Sequence, residues 1–365
     1  MGALSVGVLG CGNISERYFE AGQIYESFDI TACADLDADR SAEKANLYDI
    51  MAIDPDELVE SSDVDLIINL TPPSVHEATS ITALEAGKHV YTEKPFAADT
   101  AGAERILETA TEQGLLVGSA PDTILGSGVQ TARQAIDDGL IGQPIGATAF
   151  FVTPGHDSWH PNPEIFYGTG GGPLFDMGPY YVSALSYLLG PVASVYGSTK
   201  QPFAERPLNL EPDSDTHLDV VVPTYETGLI EFAGGATATA IFSFDTHATK
   251  VAPQASFEIH GTEGTLLASD PNFFDGPVTI RSTTDEEWNE IPTIAGPDHQ
   301  QRGLGVVDLA KALNGDWEHV TSGRFGAHVL ATMDGIRTSS QTGQTVTPAI
   351  TTERPAVLPT GDIDW

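Results

Sequence analysis

"VGVLGCGNISERYFEA", residues 6–21, runs from an apolar, strand-like stretch through Gly10-Cys11-Gly12-Asn13-Ile14-Ser15 into an amphipathic segment. A strand that feeds a glycine turn and then a helix aims the helix-start amides at one point, and such a point binds phosphate. Gly10 suits the tight turn and Gly12 lets a pyrophosphate approach the backbone, while Asn13 and Ile14 lead into the helix. Ser15 stands where a third glycine would complete GxGxxG, a position a small residue can fill. The next apolar run, "DITACAD" (29–35), ends in Asp35, about twenty residues on, where a carboxylate takes ribose hydroxyls. Turn and acid together predict a dinucleotide site.

The charge of Asp35 would repel a 2′-phosphate, which favours NAD as cofactor. Arg40, just beyond that strand, keeps NADP open, because an arginine there can pair with the 2′-phosphate; its other reading is an exposed helix residue.

The same alternation continues to about residue 120. Short apolar runs, "VDLIINLTP" (64–72), "KHVYTEK" (88–94) and "GLLVGSA" (114–120), alternate with amphipathic stretches, the pattern of βαβ units in a doubly wound parallel sheet. A helix around 128–142, a strand at "PIGATAFFV" (144–152) and a Gly- and Pro-rich stretch over 153–179 follow. Beyond 190, "TGLIEFAGGATATAIFSF" (227–244) and "ASFEIHGTEGTLLAS" (255–269) each have two arms about a turn. Helices near 300–314 and 325–340 close the chain. The expected architecture is an α/β Rossmann domain over 1–122 and an α+β domain with a large, mainly antiparallel open sheet over 123–365.

The 365 residues hold 52 acidic and 16 basic side chains, six of them lysine, for a net charge of −36. A polyanion without a Lys/Arg cluster repels nucleic acid and anionic membranes, so neither is an expected partner. The acids are spread along the chain, as in "EPDSD" (211–215) and "TTDEEWNE" (283–290), which reads as an acidic skin adapted to high salt. Molar salt shortens the Debye length to about 3 Å and screens the self-repulsion. Two cysteines make no disulfide framework, no run approaches the roughly eighteen apolar residues of a membrane helix, and no leader pattern precedes "LSVGVLG". A cytoplasmic protein is expected.

Several segments, in order, resemble the glucose-fructose oxidoreductase, inositol dehydrogenase and rhizopine catabolism (Gfo/Idh/MocA) family. They are the glycine turn, "LTPPSVHEATSITALEAGKHVYTEKP" (70–95), "LIGQPIGA" (140–147), "GGGPLFDMGPYYVSALSYLLG" (170–190), "EIHGTEGTL" (258–266) and "HVLATMDGIRTSSQTGQTV" (328–346). The most specific are Glu93-Lys94-Pro95 and the glycine-led Asp176 segment. The resemblance implies NAD(P)-linked oxidation of sugar or cyclitol hydroxyls. It also implies a homodimer or homotetramer formed through the open sheet, and it places Thr71, Pro72, His76 and Glu93 beside the cofactor.

Lys94 ends the run "KHVYTEK", and in a doubly wound sheet that end opens onto the ligand crevice. An ammonium there can hydrogen-bond the reacting hydroxyl and offset the alkoxide that develops as hydride leaves. Asp176 and Tyr180, four apart, share a face if helical. Pro179 suggests that regular helix begins close to Asp176. Many family members have histidine where Tyr180 stands, which leaves the proton acceptor open between Tyr180 and Tyr181.

Between these clusters, "GHDSWHPNPEIFY" (155–167) offers His156, Asp157, Trp159 and His160 on a loop suited to a sugar's apolar faces and hydroxyl rim. A metal at His156 and His160 is the weaker idea, because no helix pattern aligns them and no HExxH or CxxC occurs. Asp122 in "SAPDT" (119–123) follows the last Rossmann strand and is a further substrate candidate. The reading is a dehydrogenase of CH–OH groups in which Lys94 polarises, Tyr180 relays the proton and Asp176 orients. The alternatives are glycoside cleavage with recycled bound NAD and a nucleotide sensor without chemistry.

Overall fold

In the computed structural model the described residues are 3–208, 216–250, 255–293, 296 and 302–359, with the side chains of 255 and 256 not described. The acidic run at 211–215 lies outside them. The chain divides into two compact units: Met1–Ser127 with Ala295–Leu330 and Pro355–Trp365, and Gly128–Ile294 with Ala331–Arg354.

The first unit is a six-stranded, all-parallel sheet: β1 (Leu4–Leu9), β2 (Phe28–Ala34), β3 (Met51–Ala52), β4 (Leu66–Asn69), β5 (His89–Thr92) and β6 (Val117–Ser119), in the order β3-β2-β1-β4-β5-β6. Its helices are α1 (Ser15–Gly22), α2 (Ala38–Tyr48), α3 (Pro55–Glu60), α4 (His76–Glu85) and α5 (Thr100–Gln113). Val6, Val8, Leu66, Ile67, Ile68 and Val90 are all at most 1% exposed. Such continuous apolar runs are what a parallel sheet covered on both faces requires. Asp37, Asp54 and Asp99 cap α2, α3 and α5 with their carboxylates, satisfying amides that a helix start leaves open. The sheet order reverses direction beside β1, which places the ligand crevice at the carboxyl ends of β1 and β4.

The second unit opens with α6 (Ser127–Asp137) and contains an eight-stranded sheet. Its members are β7 (Pro144–Val152), β8 (Val192–Lys200), β11 (Tyr225–Phe232), β12 (Thr237–Ser243), β13 (Ala255–Gly261), β14 (Gly264–Leu267), β15 (Val278–Ser282) and β16 (Asn289–Ile291). A separate pair joins β9 (Glu205–Pro207) to β10 (His217–Asp219). The order β16-β15-β14-β13-β7-β12-β11-β8 is antiparallel except where β7 pairs with β12. The short helix α7 (Glu164–Tyr167) precedes the long α8 (Pro173–Leu189), which packs on β7, β11 and β12. Residue by residue β11 alternates, with Glu226, Gly228, Ile230 and Phe232 buried, so one sheet face carries the core.

The chain is not split at one point as expected. After β16 come α9 (Leu304–Asn314) and α10 (Gly323–Thr342), and α9 belongs to the first unit. Its Leu304, Val306, Val307 and Leu309 are wholly buried, and it packs on β2, β5 and β6. Burying each such side chain contributes about 1.5–3 kcal/mol, which anchors this late segment on the early sheet. Among the described residues, no helix is long and apolar enough to cross a membrane.

Candidate active site

The glycine turn has the geometry a nucleotide needs. Gly10 takes φ +103°, and a Cβ there would lie 2.8 Å from the carbonyl of Leu70, so only glycine fits between β1 and the loop after β4. A Cβ at Gly12 would meet nothing within 4 Å, so this glycine leaves space beside the backbone and is not required by packing. Asn13 is exposed and Ile14 half-buried at the start of α1. Asp35 accepts the N–H of Cys11 at 2.7 Å through Oδ2 and that of Asp37 at 2.9 Å through Oδ1. Its carboxylate is thereby held at the turn, half-buried, with lone pairs left for hydroxyl donors. Open backbone at Gly12, the amides of α1 and a fixed Asp35 fit a dinucleotide. Arg40 is exposed and pairs with Asp37 at 3.1 Å.

At the ends of β4 and β5, side chains lock the loops. Asn69 accepts the N–H and hydroxyl of Thr71 at 3.2 and 2.6 Å, while its amide donates to the hydroxyls of Thr79 and Ser80. Pro72 is exposed. The buried carboxylate of Glu93 accepts the hydroxyl of Tyr18 at 2.8 Å on Oε1 and the N–H of Lys94 at 2.9 Å on Oε2. Lys94 itself is half-buried, directly beyond β5. Tyr18 in this role leaves no signal in the sequence, since an inward aromatic on α1 reads as core.

Two candidates belong elsewhere. His76, expected against the cofactor, is 1% exposed, and both its ring nitrogens lie against protein carbonyls, so it presents no face to a ligand. Asp122, expected to reach substrate, is fully buried and accepts the N–H groups of Gly303 and Gly305 at 2.8 and 3.1 Å. It holds the start of α9, with Arg302 at 3.8 Å. Burial pushes its pKa up, against the pull of Arg302 and the two amides.

On the second unit, α8 begins at Pro173 and not near Asp176, so Asp176 lies in its first turn and Pro179 inside it. Asp176 and Tyr180 therefore share a helix, four residues apart. The start of α8 is anchored by a buried pair: Glu226 accepts the N–H of Leu174 at 3.0 Å and the Nε of Arg337 at 2.7 Å, while Arg337 also donates to Gly171 O at 2.9 Å. Gly172, with φ +98°, is where a Cβ would collide with this arginine. Tyr180 is 4% exposed. Tyr181 is wholly buried and donates to Asp270 at 2.9 Å, and burial pushes its pKa far up, so it is a core residue and not the proton acceptor.

The loop over 153–170 brings His156 to Asp176, Nε2 to Oδ2 at 3.2 Å, a contact that spacing in the sequence does not reveal. His156 is 8% exposed and packed edge-on against Phe166, with Trp159 at 5.1 Å and Phe244 at 4.6 Å between ring centroids. His160 packs on Phe166 as well, and Trp159 is 62% exposed. The loop is fixed from beneath: Asp157 accepts the Tyr167 hydroxyl at 2.8 Å and pairs with Arg206 at 3.0 Å, and Arg206 binds Asp245 at 2.7 Å. Among the described residues, no group of three or more His, Cys, Asp or Glu is placed to hold a metal.

Comparison with known proteins agrees with this anatomy. Residues 4–120 match the oxidoreductase family with an NAD-binding Rossmann fold, and residues 129–267 match the GFO/IDH/MocA C-terminal domain. A dTDP-3,4-didehydro-2,6-dideoxy-alpha-D-glucose 3-reductase of Streptomyces violaceoruber is 32% identical over 54% of this chain, which spans 57% of that relative. A 1,5-anhydro-D-fructose reductase of Ensifer adhaerens is 25% identical over 93% of this chain and 96% of its own. A levoglucosan dehydrogenase solved with NADH and levoglucosan shares the fold at a TM-score of 0.79 and 21% identity, covering 95% of this chain and 100% of that one. Fold, nucleotide half and relatives define an oxidoreductase of CH–OH groups with an NAD-binding Rossmann domain. The chain belongs to the Gfo/Idh/MocA oxidoreductase family.

Proposed function

We propose that this protein is an NAD-linked dehydrogenase that oxidises a secondary hydroxyl of a sugar, sugar derivative or cyclitol. The observation that carries the reading is Lys94, half-buried at the carboxyl end of a parallel strand, its backbone fixed by Glu93. Bound NAD supplies the hydride acceptor. Lys94 hydrogen-bonds the reacting oxygen and offsets its developing negative charge. The proton leaves through the group of Asp176, His156 and Tyr180, in which the Asp176 carboxylate orients the imidazole as an orienting acid does in a catalytic triad. Trp159 and His160 supply stacking surface for a sugar ring. The Asp35 carboxylate favours NAD over NADP.

The outward face of the eight-stranded sheet carries exposed Tyr196 and Leu229, paired across β8 and β11, which supports assembly into a homodimer or homotetramer. The net charge of −36 supports adaptation to high salt.

The test is a panel of sugars and polyols that includes levoglucosan, myo-inositol and 1,5-anhydro-D-fructose, read as NADH or NADPH gained or lost. Lys94→Met should remove turnover and leave NAD affinity within about twofold, since the amine acts on the reacting oxygen. Glycoside cleavage without net NADH, or full activity in Lys94→Met, would replace this reading.

A further inference from the structure

His76 opens α4, where its Nδ1 lies 2.8 Å from the carbonyl oxygen of Pro95 and its Nε2 lies 2.7 Å from that of Thr71. A carbonyl oxygen only accepts, so each contact is a hydrogen bond only when that ring nitrogen carries a proton. A neutral imidazole carries one proton and an imidazolium carries two. At 1% exposure no water competes for either position. The two carbonyls belong to the loops that leave β4 and β5, and Pro95 is bonded directly to Lys94. We infer that His76 is a proton-operated clamp: charged, it donates to both loops and fixes the spacing between Thr71 and the Lys94–Pro95 turn, and neutral, it holds only one of them.

In the neutral form, one ring lone pair faces a carbonyl lone pair at hydrogen-bond distance, and that loop gains by moving away. The charged groups around the ring act in opposite senses. Burial pushes the pKa of His76 below its ordinary value, while the two carbonyls and the Glu93 carboxylate pull it up. Glu77, next on the same helix, is bound to Arg105 of α5. Asn69 of β4 offers an uncharged amide to the backbone carbonyl of His76. Lys94 is the cation of the β5 turn. The clamp therefore closes on the acid side of the ordinary histidine range and opens as pH rises.

The consequence for binding rests on the proposed NAD site: the backbone of Thr71 and of the turn at Pro95 flanks the nucleotide, so its affinity should fall as the clamp opens. His76 is a positioning residue in this scheme. In protein labelled with 15N on histidine, the His76 ring nitrogens should both show protonated shifts at about pH 5, and one should move to the unprotonated shift by about pH 8. NAD binding followed by fluorescence over the same range should weaken by about tenfold in the wild type, the size of one lost charge-assisted hydrogen bond, and stay flat in His76→Gln. A His76 ring that keeps one proton down to pH about 5 overturns the clamp, and so does a binding profile that His76→Gln leaves unchanged. The ring titration needs no variant, so it decides the matter even if His76→Gln does not fold. Protein that binds no NAD at any pH overturns the functional reading, while the titration still decides the charge state.

Discussion

His156 and Asp176 meet at 3.2 Å, Nε2 to Oδ2, although twenty residues and a glycine-rich loop separate them in the chain. An imidazole hydrogen-bonded to a carboxylate is held in one orientation, which is what a proton acceptor for an alcohol needs. Replacing His156 by Asn should lower kcat by about a hundredfold, and Asp176→Asn should do the same, without additivity in the double variant because the pair acts as a unit. Steady-state kinetics on the three variants decides this; independent, multiplying effects would place the two residues in separate roles.

Asp35 binds the turn through the N–H of Cys11, and in the proposed NAD site its charge would face a 2′-phosphate. Asp35→Ser should weaken NAD binding by about tenfold or more and narrow the preference over NADP, because it removes both the ribose acceptor and the repelling charge. Dissociation constants for both nucleotides, measured side by side, check it. An unchanged ratio would separate Asp35 from cofactor choice.

The Glu226–Arg337 pair anchors α8, and Glu226 is wholly buried. Removing one partner leaves an uncompensated charge in the interior, so Arg337→Met should cost about 3–5 kcal/mol, whereas a double change to apolar residues of similar volume should recover much of it. Thermal melts of the single and double variants report the difference. A harmless single change would mean that α8 is held by its apolar face alone.

His89 and His319 are half-buried in the first unit, and the desolvation this brings is the leading cause that holds both imidazoles below the ordinary value of 6.5. In the unfolded chain each regains its ordinary value and binds a proton that the folded form refuses. Stability from these groups is therefore present above 6.5 and is lost as pH falls through the folded values. Urea midpoints should drop between about pH 7 and pH 5, and less steeply in His319→Gln. An equal slope in the variant would remove His319 from the acid response.

The net charge of −36 makes salt a lever on stability. Raising ionic strength from about 0.01 to 1 M shortens the Debye length from roughly 30 to 3 Å and should raise the melting temperature. Sodium chloride should act before sulfate-specific effects enter, and a melting temperature indifferent to chloride would show that the charges are too dispersed to repel.

The parallel sheet is readable because its strands are short, apolar and regularly spaced, and because Gly10 marks the tight turn that follows β1. The hairpins β11–β12 and β13–β14 were equally plain from alternation about "GG" and "TEG". β3 leaves no pattern in the sequence because two residues, Met51 and Ala52, are too few to show periodicity. The start of α8 lies earlier than the sequence suggests, because proline at position 179 reads as a helix start, whereas Pro173 already occupies that role and the helix tolerates a second proline. The roles of Asp122, Tyr181 and His76 depend on partners far along the chain or on backbone carbonyls. Neither leaves a pattern in spacing. The same holds for the contact of His156 with Asp176.

The carboxylate of Asp122 and the amide of Gly303 that it binds are 181 residues apart in the chain. During synthesis, the nucleotide-binding half must therefore leave the ribosome with this acid still lacking its amides and the seat of α9 uncovered. Only after residues 128–294 of the second unit have been translated can α9 arrive to seal it. A chaperone that shelters nascent apolar surface would have its longest task here, at the back of a sheet whose strands were all made early.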